Sequence, residues 1–204
     1  INTEVRVPLR GIGSALALKA QKGFHVGQGI SMMMNADLNS DGSIDIALAD
    51  SASGSIRILF NDGNGNFSSE QKLPSNISLY GDWESPASIA VAQVYGDEFD
   101  LIVADPMARS ISVLKNDGTG NFNSDRNDIY IGYTVSDVLP LDIDADGDFD
   151  LVTANSNGAS VMLLKNNGRG TFSTRDAYEV GSRPIDLSDG NLNDDAFPDV
   201  VVAN

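Results

Sequence analysis

Residues 142–172 read DIDADGDFDLVTANSNGASVMLLKNNGRGTF. An acidic nine-residue loop opens the stretch, and Leu151-Val-Thr-Ala follows it. That run is too short for a helix and rich in β-branched residues, so it predicts a strand. A Ser/Gly/Asn turn leads into a second run of the same kind, Ser160-Val-Met-Leu-Leu-Lys. The Asn-Asn-Gly-Arg-Gly segment at 166–170 then supplies glycines that tolerate positive φ, as a tight hairpin requires. A further strand starts at Phe172.

The same order of parts recurs along the chain. Hairpin segments NDGNGNF (61–67) and NDGTGNF (116–122) match NNGRGTF (166–172). Loop-plus-strand segments DLNSDGSIDIALAD (37–50), QVYGDEFDLIVADP (93–106) and NLNDDAFPDVVVAN (191–204) match DIDADGDFDLVTAN (142–155). The last Asp of each loop falls at Asp45, Asp100, Asp150 and Asp199, at intervals of 55, 50 and 49 residues. A period of this size marks a repeat architecture. With a last apolar stretch before each acidic loop, as in Ser88-Ile-Ala-Val-Ala, a unit holds four short strands, the content of one propeller blade.

The expected fold is therefore an all-β propeller of four-stranded blades, about four of them visible in this chain. The expected divisions are a partial blade at 1–26, blades at 27–80, 81–131 and 132–180, and a partial blade at 181–204. Ala15-Leu-Ala-Leu-Lys-Ala-Gln-Lys-Gly-Phe resembles the second run and hairpin of a unit. The edge at Val200-Val-Val-Ala invites pairing, and residues 1–26 exceed the two strands the last blade lacks. Together these predict part of a larger propeller, roughly six- to eight-bladed, with further blades from the same or another chain, over a closed four-bladed ring.

The acid is clustered with the same period. Numbered from Asp37, the first loop places oxygen side chains at positions 1, 3, 5 and 9, namely Asp37, Asn39, Asp41 and Asp45, with Gly42 at position 6 and the Ser43 carbonyl at position 7. The third loop offers Asp142, Asp144, Asp146, the Asp148 carbonyl and Asp150 around Gly147. The fourth offers Asn191, Asn193, Asp195, the Phe197 carbonyl and Asp199, with Ala196 at the turn. Ca²⁺ takes about six to eight oxygens at about 2.3–2.6 Å. Crowding these carboxylates without a cation costs like-charge repulsion. About three Ca²⁺ sites are expected. The second loop is one residue shorter and replaces two ligands by Gln93 and Tyr95, so little or no binding is expected there. Asx-rich turns are the plain alternative for any single loop; the shared register of three argues against it. Position 12 is Leu48 or Thr153 inside a β run, which excludes an EF-hand and its bidentate Glu.

Bulk composition bounds the partners. Thirteen Lys and Arg against 29 Asp and Glu give a formal charge of −16, which disfavours nucleic acid and anionic membrane. No apolar run approaches the roughly 20 residues of a membrane span. Without cysteine there is neither disulfide nor thiolate chemistry.

The combined pattern resembles the FG-GAP/VCBS repeat: a D-x-[DN]-x-D-G-x-x-D loop, then [LIV]-[VI]-x-A-[ND], then a strand ending in N-D-G-x-G-x-F. The likeness covers about residues 28–204. It implies integrin-α-like calcium-bearing blades, with each loop between the first two strands of a blade and a structural role for the metal. It is specific as to fold and metal and unspecific as to function.

The leading expectation is a non-enzymatic extracellular or cell-surface module for adhesion or for protein or glycan recognition. A sugar-binding lectin, or a part of a secreted polysaccharide-degrading enzyme, is the alternative. Extracellular location follows from loops that millimolar calcium would fill. Partners would dock on the loop face. The insertion 75–86 carries Tyr80 and Trp83, candidates for a stacking or anchoring contact, although packing of Trp83 over a blade edge is the plainer reading. No catalytic residue is expected, since the one histidine, His25, sits beside Phe24 in a strand-like stretch. Met32-Met-Met reads as core filler. Lys19, Lys115 and Lys165 hold equivalent repeat positions and read as solvated strand ends.

Overall fold

The computed structural model describes Val26 and residues 29–73, 86–122, 126–195 and 197–204. All regular elements there are β-strands. The first sheet orders β1 (Ile30–Ala36), β2 (Asp45–Asp50), β3 (Ser55–Phe60) and β4 (Ser69–Leu73) side by side. The second repeats this with β5 (Ser88–Ala92), β6 (Asp100–Asp105), β7 (Ser110–Leu114) and β8 (Arg126–Tyr130). The third holds β9 (Val135–Leu141), β10 (Asp150–Asn155), β11 (Ser160–Lys165) and β12 (Thr174–Glu179). A two-stranded sheet of β13 (Asp186–Gly190) and β14 (Asp199–Ala203) follows. Every pairing is antiparallel between neighbours in sequence, the build of a propeller blade.

The register explains the β-branched runs. In the second sheet Leu101 faces Leu114 and Asp105 faces Ser110; in the third Leu151 faces Leu164 and Asn155 faces Ser160. Of these central strands β6, β7 and β10 are buried along their whole length and β11 along most of it, because both faces are covered by neighbouring sheets. Such strands read as continuous apolar runs, without the alternation of a half-exposed strand.

The first strands β1, β5, β9 and β13 pack side by side in that order. The core lies between consecutive sheets. Ile56, Ile58 and Leu73 of the first meet Ile89, Leu101, Val103 and Leu114 of the second. Ile102, Ile111 and Val113 of the second meet Leu151, Met162 and Leu164 of the third. Val152 and Ala154 then meet Leu187, Val200 and Val202 of the last pair. The methionine run departs from its core-filling expectation: Met32 and Met34 pack against the first interface, whereas Met33 points outward and is 60% exposed. Pleating puts alternate residues on opposite faces. Among the described residues no helix is long and apolar enough to cross a membrane.

Polar bonds also tie the sheets near the starts of the first strands. The Ser31 hydroxyl donates to the Pro86 carbonyl at 2.9 Å, and Ser136 donates to the Pro184 carbonyl at 2.6 Å. Between them, buried Asp137 accepts from the Ser88 hydroxyl at 2.6 Å and from the Leu187 N–H at 2.8 Å. One carboxylate thus joins three successive sheets.

Candidate metal loops and the clefts between blades

The four acidic loops connect the first two strands of each sheet. The position-1 carboxylates organise loops one and three identically. Asp37 accepts from the backbone N–H groups of Asp41 (3.1 Å) and Gly42 (2.8 Å); Asp142 accepts from Asp146 (3.2 Å) and Gly147 (3.1 Å). Position 5 then accepts from position 7, Asp41 from Ser43 at 2.8 Å and Asp146 from Asp148 at 2.9 Å. Gly42 and Gly147 have φ of 84° and 95°. A second left-handed residue, invisible in the sequence, sits at position 4: Ser40, Ala145 and Asp194, with φ of 58°, 59° and 60°. Such backbone is uncommon outside glycine; in loops one and three the inward bonds of Asp37 and Asp142 brace it.

Loops two and four reverse the polarity at position 1. Gln93 donates its amide to the Asp97 carbonyl at 2.6 Å, and Asn191 donates to the Asp195 carbonyl. The rest of loop four keeps the common pattern: Asn193 accepts from Asp195 at 3.0 Å, and Asp195 from Phe197 at 2.8 Å. Phe197 itself is exposed.

The last Asp of each loop has a second task. Asp45, Asp100 and Asp150 are 0%, 1% and 0% exposed. Asp45 accepts from the N–H of Leu38 (3.0 Å) within the loop and of Asn61 (2.8 Å) at the end of the third strand. Asp150 does the same with Ile143 (3.2 Å) and Asn166 (2.8 Å), and Asp100 with Val94, Tyr95 and Asn116. Asp199 accepts from Leu192 at 2.7 Å. These carboxylates pin loop to hairpin. Burial pushes the Asp45, Asp100 and Asp150 carboxyls up, against the lowering effect of those N–H donors. Each oxygen of Asp45 and Asp150 that accepts one bond keeps a lone pair for a further partner.

The oxygens suit a hard cation. Asp142, Asp144 and Asp146 each bring a carboxylate oxygen within 4.8 Å of the others, the span of one coordination sphere with metal–oxygen distances of about 2.3–2.6 Å. In the first loop Asn39 donates to Asp41 at 3.0 Å, so those two side chains already converge. The donor set of the third loop fits Ca²⁺; the first loop has the same oxygen types in the same register, with the Asn39 side-chain oxygen accepting from the Asp41 N–H at 3.2 Å.

The residue that ends the third strand faces position 3 of the loop, a relation the repeat pattern did not reveal. Lys165 donates to Asp144 at 2.9 Å and holds that carboxyl below its ordinary range. Lys115 lies 5.3 Å from the centre of the Tyr95 ring, a cation–π contact. Neither is simply a solvated strand end, which corrects the reading from the repeat. Lys19 lies outside the described residues, as do Tyr80, Trp83, His25 and Ala196.

The hairpin asparagines are the other missed residues. Asn116, buried, accepts with its side-chain oxygen from Gly118 (3.0 Å) and Gly120 (3.2 Å) and donates to the carbonyls of Phe99 (3.0 Å) and, across the joint, Leu38 (2.8 Å). Asn166 donates likewise to Phe149 and Val94, both at 3.1 Å. Each hairpin therefore staples its own loop to the loop of the preceding sheet. Their invariant place in the hairpin segment was the available signal.

Between the first two sheets this arrangement leaves a cleft of about 350 Å³ lined by Asn39, Asp41, Phe60, Asn61, Ser69 and Thr119, among others. In the second sheet the matching notch, between its own loop and hairpin, is only about 90 Å³, with Tyr95 and Lys115 in its lining. A side chain on Gly170, from the third sheet, would strike the Tyr95 ring, just as one on Gly120 would strike Phe60.

Known structures share this architecture. A lectin of Agrocybe aegerita, solved to explain specific recognition of non-reducing terminal N-acetylglucosamine, aligns with a TM-score of 0.53 at 22% identity over 72% of this chain and 37% of its own. BBS1N, solved in complex with ARL6DN, aligns with a TM-score of 0.55 at 15% identity over 87% of this chain and 51% of its own. The chain thus spans about a third to a half of these two proteins, and at such identities the likeness is one of fold. No curated protein matches the sequence. The FG-GAP-like repeat model matches residues 37–99 and 142–202, more than half of the chain, and the protein belongs to the FG-GAP-like repeat family.

Proposed function

We propose that this chain is a calcium-stabilised, non-catalytic recognition module of an extracellular or cell-surface protein, forming part of a larger propeller. Its partner is a protein or a glycan bound on the loop face. The observation that carries this reading is the repeated display of carboxylate, amide and hydroxyl groups on loops at one end of adjacent sheets, with the open cleft at the first joint among them. Calcium there has a structural role: bound by Asp37, Asn39, Asp41 and Asp45, or by Asp142, Asp144, Asp146 and Asp150, it supplies positive charge that offsets carboxylate repulsion. The Ser43 and Asp148 carbonyls complete these sets. Asn191, Asn193, Asp195, Asp199 and the Phe197 carbonyl form a less acidic third set.

A glycan partner is favoured by the cleft lining, which combines half-buried Phe60 with amides, hydroxyls and the carboxylates of Asp41 and Asp62. Sugars are held by such mixtures of an aromatic face and polar groups. The lectin likeness adds to this reading only as a precedent on a shared fold. Binding to an immobilised glycan array in calcium, abolished by EDTA and weakened at least several-fold by Phe60→Ala, is the expected result. An array without hits, beside retained calcium stabilisation, would leave a protein partner as the reading.

A further inference from the structure

We infer that Lys165 is an internal competitor for the cation of the third loop and lowers that loop's affinity, while among the described residues the first loop has no such competitor. This rests on the calcium reading above. In three successive blades the residue ending the third strand faces the third position of the acidic loop, and the pairing differs each time. In the first, Phe60 and Asn39 stand together beside Gly120, which would contact both through a Cβ. In the second, Lys115 lies over Tyr95. In the third, the Lys165 ammonium sits 2.9 Å from Asp144 Oδ2. Asp144 belongs to the trio whose oxygens converge, so the ammonium occupies a ligand that the cation needs.

A dication entering the third loop must displace Lys165 from Asp144 and then tolerate a positive charge beside it. Both partners of the ion pair are more than a third exposed, at 37% and 35%. The pair is therefore weak on its own, and released Lys165 has solvent to swing into. In the first loop the equivalent position holds neutral Phe60, and no ammonium of the described residues pairs with Asp37, Asp41 or Asp45. The richer carboxylate set of the third loop is thereby partly offset, and the two loops are brought closer in affinity than their acid counts imply. The second loop carries Lys115 in the same place above a ring that offers no carboxylate, and its position-1 amide donates inward.

Calcium chloride titrated calorimetrically into the full chain tests this. Lys165→Met is expected to tighten one class of site by about three- to tenfold, from the lost ion pair and the lost ammonium–dication repulsion. Lys165→Arg, which keeps the charge, leaves the isotherm near wild type. Adding Asp146→Asn to Lys165→Met removes the tightened class, which assigns it to the third loop. Calcium binding that is the same in wild type and Lys165→Met overturns the competitor role and leaves the calcium reading standing. Heats of dilution alone in every variant overturn the calcium reading, and the competitor role with it.

Discussion

Asp137 shows how one side chain links fold to solution behaviour. It is 6% exposed and bridges Ser88 of the second sheet to Leu187 of the last pair. Burial raises its pKa against those hydrogen bonds, and Asp186 adds repulsion. A carboxyl whose folded pKa lies above its unfolded value of about 3.9 favours the folded state once protonated, so its contribution grows as pH falls through the raised value. The stability of wild type relative to Asp137→Asn should therefore increase between about pH 7 and 4; a difference flat with pH would refute this. Gly170 makes a second prediction at this scale. Its φ is 70°, and a Cβ there would strike the Tyr95 ring. Gly170→Ala should cost about 1–3 kcal/mol in urea unfolding, from backbone strain and overpacking. The bridging role of Asp137 and the contact of Gly170 with Tyr95 were not legible in the sequence, since each depends on a partner in another sheet; only the turn role of Gly170 was.

At the scale of the element, the strands and loops were the legible part. Leu151-Val-Thr-Ala and Val200-Val-Val-Ala read as strands because β-branched runs of that length fit no helix, and they lie in β10 and β14. The hairpins were legible from their glycines, of which Gly168 and Gly170 take φ of 73° and 70°. What stayed hidden is that side chains at position 7 of the loops, Ser43, Glu98 and Asp148, lie against the first hairpin glycines, Gly63, Gly118 and Gly168. Each such pair is about 20 residues apart, and motif spacing does not show which side chain faces which turn. The staple asparagines were visible as repeated letters but not as joints. Asn116→Ala removes a buried donor to Leu38 and Phe99 and a buried acceptor from two glycines. Unfolding in urea should show a loss of about 2–4 kcal/mol; the same change at the more exposed Asn61, whose bonds stay within the first sheet, should cost less.

For the whole molecule, the repeat period was the strongest signal, because three successive units present the same four strands in the same order and a fourth presents the first two. The joints between units set how calcium acts globally. With a dissociation constant of about 0.1 mM, each filled loop would add about 1.4 kcal/mol at about 1 mM free calcium. The thermal midpoint should rise by several degrees between EDTA and millimolar calcium and respond little to magnesium. An unchanged midpoint would mean that the loops act as turns alone.

The staples also have a direction. The donor always belongs to the later sheet and the acceptor to the earlier: Asn116 reaches back 78 residues to Leu38, and Asn166 reaches back 72 to Val94. On a ribosome adding roughly 5–20 residues per second, the first loop waits about 4–16 s for the asparagine that locks it. The first and second blades are thus each sealed by their successor's birth, and until then each stays unlatched at the growing end of the nascent chain.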